Sequence, residues 1–323
     1  MRTIAIVSLL LLQPWPGNDV AAQGDEQKAI LITGASTGIG RNMAETLASA
    51  GHFVYAGARK QSDIVELSAI DNIQGIRLDV TVQEEIDDAV EFVRREGRGL
   101  YGLINNAGVS VAGPMIEMSE ADMQFQMDVN LFGPYRVTKA FAPLIIESKG
   151  RIITTGSIAG VLSGFFSGPY AMSKHAMEAY TDALAAEMQK FDVHVSVIEP
   201  GNYNSRITRS RIERLIDSGE SGEGSYYEDE IREMLQDNVD RSRFKDPDEV
   251  SAAAMQALFE PTPKLRYMVV PEEEEAWITI WVGFLKLMQM NDDQPYSFDR
   301  DALIEMLDEA IEVAESRQRP PAD

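Results

Sequence analysis

An apolar tetrad followed at once by spaced glycines dictates most of what this chain can fold into. Ala29-Ile30-Leu31-Ile32 has the continuous apolarity of a short strand buried on both faces of a parallel sheet. Gly34, Gly38 and Gly40 follow directly, and a helical pattern opens near Ile39. Glycine permits a tight turn and lets the backbone approach a ligand with no Cβ in the way. A helix that starts after such a turn points its free N–H groups at an anion such as a pyrophosphate. Strand, glycine turn and helix in that order belong to an α/β sheet rather than to an all-helical or all-strand fold.

The alternation continues down the chain. Residues 53–57, 76–80, 100–104, 151–155, 193–198 and 267–270 read as further strands. Helical patterns occupy 83–95, 129–148, 170–190 and 248–258, with Ser119 as the cap of a shorter helix over 119–127. The fold expected is one doubly wound α/β domain over 28–271, a parallel sheet with helices on both faces.

Composition removes several classes of function. The net charge of −23 and pI near 4.5 disfavour nucleic acid or an anionic membrane surface as partner. The chain has no cysteine, which excludes disulfides, thiol catalysis and thiolate zinc sites. His52, His175 and His194 show no ligand spacing, so no metal site is expected.

Residues 1–22 read as a secretory signal peptide. Arg2 gives a basic start, 4–12 is apolar, Pro14, Pro16 and Gly17 break it, and Val20-Ala21-Ala22 offers small residues for cleavage. Export to a periplasm is expected ahead of a cytoplasmic location. A monotopic N-terminal anchor and a misplaced start codon are the alternatives.

The chemistry centres on Tyr170 and Lys174. Four residues apart on a helix, they share a face. A cation beside a tyrosine favours the phenolate, which makes the tyrosine a proton donor and acceptor near neutral pH. Ser157 stands thirteen residues before Tyr170, and Asn105-Asn106-Ala107-Gly108 ends the fourth strand. At the end of the second strand, Ala58-Arg59-Lys60 holds no acid. A carboxylate there would bind a ribose 2′-hydroxyl, whereas Arg59 can pair with a 2′-phosphate.

Together, Thr33-Gly34-Ala35-Ser36-Thr37-Gly38-Ile39-Gly40, the Asn-Asn-Ala-Gly turn, Ser157 and Tyr170-Ala-Met-Ser-Lys174 resemble the short-chain dehydrogenase/reductase family, over roughly 28–270. The resemblance implies a Rossmann fold and a nicotinamide cofactor held by Gly34, Ser36, Gly38, Ile39, Gly40, Arg59, Asp79, Val80, Asn105, Tyr170, Lys174, Pro200 and Gly201. NADP(H) is favoured over NAD(H) because of Arg59. Asp79 would accept from the adenine amino group, Asn105 would line the ribose, and Ser205 would meet the carboxamide. The catalytic set implied is Asn130, Ser157, Tyr170 and Lys174. Tyr170 moves the proton, Lys174 tunes it and bonds the ribose, Ser157 orients substrate, and Asn130 carries a helix kink and a water relay. Gly156 departs from the serine more usual before Ser157.

The function expected is hydride transfer between the cofactor and a secondary alcohol or ketone. Hydroxysteroid, retinol and 3-hydroxybutyrate dehydrogenases are the similar members. A nucleotide-sugar epimerase and a non-catalytic cofactor-binding sensor are the alternatives. Residues 202–245 read as a charged substrate cover, while Phe165 and Phe166 face substrate or pack. Residues 272–323 form a helical extension whose apolar stretch, 277–288, is expected against the core or pocket rather than in a membrane interface. The cover and this helix lean towards a hydrophobic substrate. The helices at 129–148 and 170–190 are candidates for a homodimer or homotetramer interface.

Overall fold

The computed structural model describes residues 27–217, 222–236 and 244–316. The leader, 1–22, lies outside the described residues. Two compact units divide the chain. Gln27–Thr279 holds the sheet, and the described part of the other is 280–316.

The first half of the sheet unit contains β1 (Ala29–Ile32), α1 (Gly38–Ser49), β2 (Phe53–Ala58), α2 (Gln61–Ser68), β3 (Ile73–Arg77), α3 (Gln83–Glu96) and β4 (Gly102–Asn105). Then come α4 (Glu120–Met127), α5 (Gly133–Glu147), β5 (Arg151–Thr155), α6 (Gly168–Met188) and β6 (His194–Pro200). The chain continues through α7 (Ile207–Asp217), α8 (Glu228–Gln236), α9 (Asp248–Phe259), β7 (Arg266–Val269) and α10 (Glu273–Asn291). The final helix is α11 (Arg300–Ser316).

The seven strands are all parallel, in the order β3-β2-β1-β4-β5-β6-β7. The order reverses between β1 and β4, and ligands of open α/β sheets sit at such a reversal. Strand periodicity divides β1 between two cores. Ile30 and Ile32 pack with Met43 and Leu47 of α1 and Leu258 of α9. Ala29 and Leu31 pack with Val90 of α3 and Phe141 and Ile145 of α5 on the other face.

Three elements differ from the sequence reading. The third strand begins at Ile73, so Asp79 and Val80 lie beyond its end rather than within it. Gly75 disguises the strand. Its bare Cα lies against the Ile64 carbonyl, where a Cβ would collide. The helix expected over 129–148 is interrupted, because 128–132 forms a π-helical turn and α5 starts only at Gly133. There a Cβ would stand 2.7 Å from Val80 Cγ2.

The third difference is α10. Its apolar stretch was expected to be buried, yet Trp277, Ile278, Ile280, Trp281, Phe284 and Leu285 are exposed and Thr279 is its buried residue. The helix is apolar nearly all round, so its pattern singles out no face to bury.

The segment read as a cover, 202–245, contains α7 and α8, with 218–221 and 237–243 outside the described residues. Arg214 of α7 donates to Asp122 at 2.6 Å, and the Tyr226 N–H donates to Glu117 at 2.9 Å. Phe165 and Phe166 stack on one another and both meet Tyr227 edge-on.

Candidate active site

A cavity of about 500 Å³ is lined by the residues that directly follow β1, β2, β4, β5 and β6. It therefore opens at the C-terminal ends of the strands, at the reversal of strand order.

Its floor is the glycine turn. Gly34 and Gly38 have φ of 66° and 57°, the left-handed region that glycine enters without strain. A Cβ on Gly34 would stand 2.8 Å from Ala107 Cα, and one on Gly40 would collide with the Asn106 amide and the Gly34 carbonyl. Asn106 closes the turn, with Nδ2 donating to the carbonyls of Thr33 (3.0 Å) and Gly34 (3.1 Å). The Thr33 hydroxyl accepts from the N–H groups of Asn106 and Ala107, both at 3.0 Å. Thr37 makes no side-chain cap bond and the first turn of α1 carries no acid. That leaves a positive helix end facing a side-chain-free cradle, which fits the pyrophosphate of a dinucleotide.

Ser36, Gly38, Ile39, Gly40, Arg59, Asp79, Val80, Pro200, Gly201 and Ser205 all line this cavity. Arg59 is 64% exposed, and its Nη1 lies 3.9 Å from Asp79 Oδ2. The other oxygen of Asp79 accepts from the Thr81 N–H (3.0 Å) and hydroxyl (2.7 Å). Lys60 stands at the N-cap of α2 and does not line the cavity. Asn105 is also off the cavity, because it is buried with Nδ2 donating to Thr138 of α5 at 2.9 Å. Strand alternation turns Asn105 to the helix side and Asn106 to the ligand side.

Ser157, Tyr170 and Lys174 line the same cavity. Pro169 sits in the first turn of α6, where its missing N–H costs nothing, and Tyr170 and Lys174 follow on the next turns. Lys174 Nζ donates to the Thr155 carbonyl at 2.7 Å and stands 5.6 Å from the centre of the Tyr170 ring. Burial pushes the Lys174 ammonium down to about 8, against the opposing charge of Glu178. Ser157 Oγ accepts from the Ala159 N–H at 3.1 Å, which leaves its own O–H to donate.

Asn130 lies in the π-helical turn and is buried off the cavity. Its Oδ1 accepts from the Val109 N–H at 2.8 Å, while Nδ2 donates to the Val109 carbonyl (2.9 Å) and Ser173 Oγ (3.1 Å). His175 is bonded back to the Ala171 carbonyl within α6, as a structural residue would be.

Sequence reasoning passed over Asn106, Arg206 and Arg211, all of which line the cavity. Asn106 was visible in the same motif as Asn105. Arg206 and Arg211 sit in a stretch where charge is common and no spacing marks them.

Comparison with known proteins agrees with this geometry. The family model described as short chain dehydrogenase matches residues 28–215. The mitochondrial D-beta-hydroxybutyrate dehydrogenase of Bos taurus is 40% identical over 186 residues, a match spanning 54% of each chain. An uncharacterized oxidoreductase of Escherichia coli K12 is 38% identical over 184 residues, covering 56% of this chain and 68% of that one. The chain therefore spans little more than half the length of the bovine relative. The crystal structure of a short-chain dehydrogenase from Streptomyces avermitilis superposes with a TM-score of 0.66 at 27% identity, covering 82% of this chain and 94% of that one. With a glycine cradle, a Ser-Tyr-Lys constellation on one cavity and a family match over more than half its residues, the chain belongs to the short-chain dehydrogenase family.

Proposed function

We propose that the chain is an oxidoreductase that moves a hydride between a nicotinamide dinucleotide and the carbinol or carbonyl carbon of a small secondary alcohol or ketone. The observation that carries this reading is the convergence of Ser157, Tyr170 and Lys174 on the cavity that also holds the glycine turn. When bound, the dinucleotide supplies or accepts the hydride. The chain supplies orientation and the proton.

Tyr170 exchanges the proton with the substrate oxygen. Lys174 is mostly charged at neutral pH, and its buried ammonium near the ring favours the Tyr170 phenolate. The Thr155 carbonyl fixes the direction of that ammonium. Ser157 donates its hydroxyl to the substrate oxygen. Asn130 acts through the backbone of its π-helical turn, since its side chain is committed to Val109 and Ser173.

The glycine turn and the N-terminus of α1 would hold the pyrophosphate. Arg59, with no acid at the end of β2, favours NADP(H) over NAD(H). Val109, Ile158, Ala159 and Ile207 line the cavity and suit a hydrophobic substrate. We also read the protein as a homodimer or homotetramer through α5 and α6, and as exported. A mature N-terminus near Gln23 supports export, whereas a retained leader overturns it.

The deciding experiment is fluorescence titration of NADPH and NADH on the wild type and Arg59→Ala. Tighter NADPH binding, weakened about tenfold in the variant, is expected for one charge-assisted contact made by an exposed guanidinium. Equal or tighter NADH binding overturns the cofactor choice, and binding of neither overturns the function.

A further inference from the structure

Gly156 stands where the family pattern has serine, and the reason lies beneath it. A Cβ there would sit 2.7 Å from Val197 Cγ2 and 3.2 Å from Glu178 Oε1. A Cβ on Gly160 would sit 2.9 Å from the same oxygen. Both ends of the loop that carries Ser157 therefore rest on the carboxyl of Glu178. On α6, Glu178 is one turn beyond Lys174 and two beyond Tyr170.

The two oxygens of that carboxyl are treated differently. Oε2 accepts from Arg266 Nε at 3.0 Å, and Nη2 of the same arginine reaches Asp182 at 2.7 Å. Oε1 is buried, and no N–H or hydroxyl among the described residues donates to it. The Glu199 side chain, on β6 one residue before Pro200, is buried with its carboxyl against that of Glu178. Two ionised carboxylates have no donor between them, so a bond between them requires a proton.

The other charged groups facing the pair are Lys174 and Asp182 on α6 and Arg266 on β7. The 156–160 loop contributes none. With one proton on the pair, Glu178 and Asp182 are the two carboxylates facing Arg266 and Lys174. Without it a third negative charge is buried under the loop. Burial, reinforced by the charge of Glu178, pushes the Glu199 carboxyl up to about 7, within the range where such a proton is exchanged.

We propose that Glu178 and Glu199 share one proton, and that this proton holds the 156–160 loop, and with it Ser157, in position. Both are positioning residues. Neither lines the cavity, and they act through the backbone under Ser157. Loss of the proton leaves two like charges side by side and loosens the loop from below. The consequence for turnover rests on the function proposed above, whereas the consequence for the loop does not.

Hydrogen exchange of the full chain, read by mass spectrometry on peptides spanning 156–162, tests this without any substrate. The Gly160 and Val161 amides are bonded to Ser157 (2.8 Å) and Ile158 (3.0 Å) within the loop. After correction for intrinsic rates, their protection is expected to fall ~10-fold between about pH 6 and about pH 8, the size of one pKa unit of coupling. In Glu199→Gln, which keeps a donor and cannot ionise, the fall is expected to vanish. Glu178→Gln serves the same purpose if Glu199→Gln fails to fold. The same pH response in wild type and variant, or none in either, overturns the proposal. If turnover is found, substrate KM rises across the same pH window in the wild type and stays flat in Glu199→Gln. A loop response in a chain with no turnover upholds this inference and overturns the function.

Discussion

Lys174 Nζ donates to the carbonyl oxygen of Thr155 at 2.7 Å, and this bond ties helix α6 to the last residue of β5. The ammonium is thus aimed by the register of a central strand rather than by its own rotamer freedom. It is also almost wholly removed from water.

That burial has a measurable signature. Lys174 has a folded-state pKa near 8 against an ordinary value of 10.5, so the folded protein gives up the proton first. Stability therefore rises with pH between those two values, by about 3 kcal/mol in full. Denaturant unfolding of wild type and Lys174→Met across this range is expected to show the rise only in the wild type. Equal slopes would mean that the ammonium is better solvated than its surroundings indicate.

Removing the phenol oxygen leaves the fold and the cradle intact. Tyr170→Phe is expected to lower turnover by roughly 10²–10⁴, the usual worth of a positioned general acid or base. Dinucleotide affinity, measured by the same titration as for Arg59→Ala, is expected to fall far less than turnover, because Tyr170 is one of many residues lining the cavity. A variant that turns over normally would remove Tyr170 from the reaction.

The side chain of Asn130 serves as a backbone-like partner for both the N–H and the carbonyl of Val109. Asn130→Ala strands the Val109 N–H, while the Val109 carbonyl and Ser173 Oγ keep donors from Gln126 Nε2 (3.0 and 3.4 Å), at a cost of about 1–3 kcal/mol. Asn130→Asp restores only the acceptor and is expected to fall between the two. Urea midpoints at equal m-value check the order.

Gly40→Ala places a methyl group against the Asn106 amide and the Gly34 carbonyl. The carbonyl is backbone and the Asn106 amide is held by its bonds to Thr33 and Gly34, so the turn must open, at about 1–3 kcal/mol. Loss of dinucleotide binding is expected to accompany the lower midpoint. Unchanged affinity would show that the cradle tolerates a wider turn.

Much of this was legible because the signals are local. The strand and glycine turn at 29–40, the Ser119 cap with its bond from the Asp122 N–H, and the Tyr170 and Lys174 spacing each depend on neighbours a few residues away. What was not legible depends on contacts between distant segments. Asn105 and Asn106 are chemically identical, and only the phase of β4 sends one to α5 and the other to the cavity. Glu178 and Glu199 look like surface acids in the sequence, because nothing there shows that one lies under Gly156 and the other beside it on β6. The π-helical turn at 128–132 leaves no compositional mark, and the apolar α10 has no polar face to orient it.

The glycine turn, the most local of these signals, is itself completed from afar. Asn106 reaches the Gly34 carbonyl across 72 residues, and that bond forms only once β4 has docked beside β1. Closing a loop of that length is an entropic cost met before any anion site exists. Residues 27–60 alone are therefore not a nucleotide-binding fragment, and the cradle appears cooperatively with the central sheet. By the same linkage, a ligand that binds the cradle stabilises the β1–β4 pairing, and saturation with dinucleotide acts as a brake on unfolding of the whole sheet.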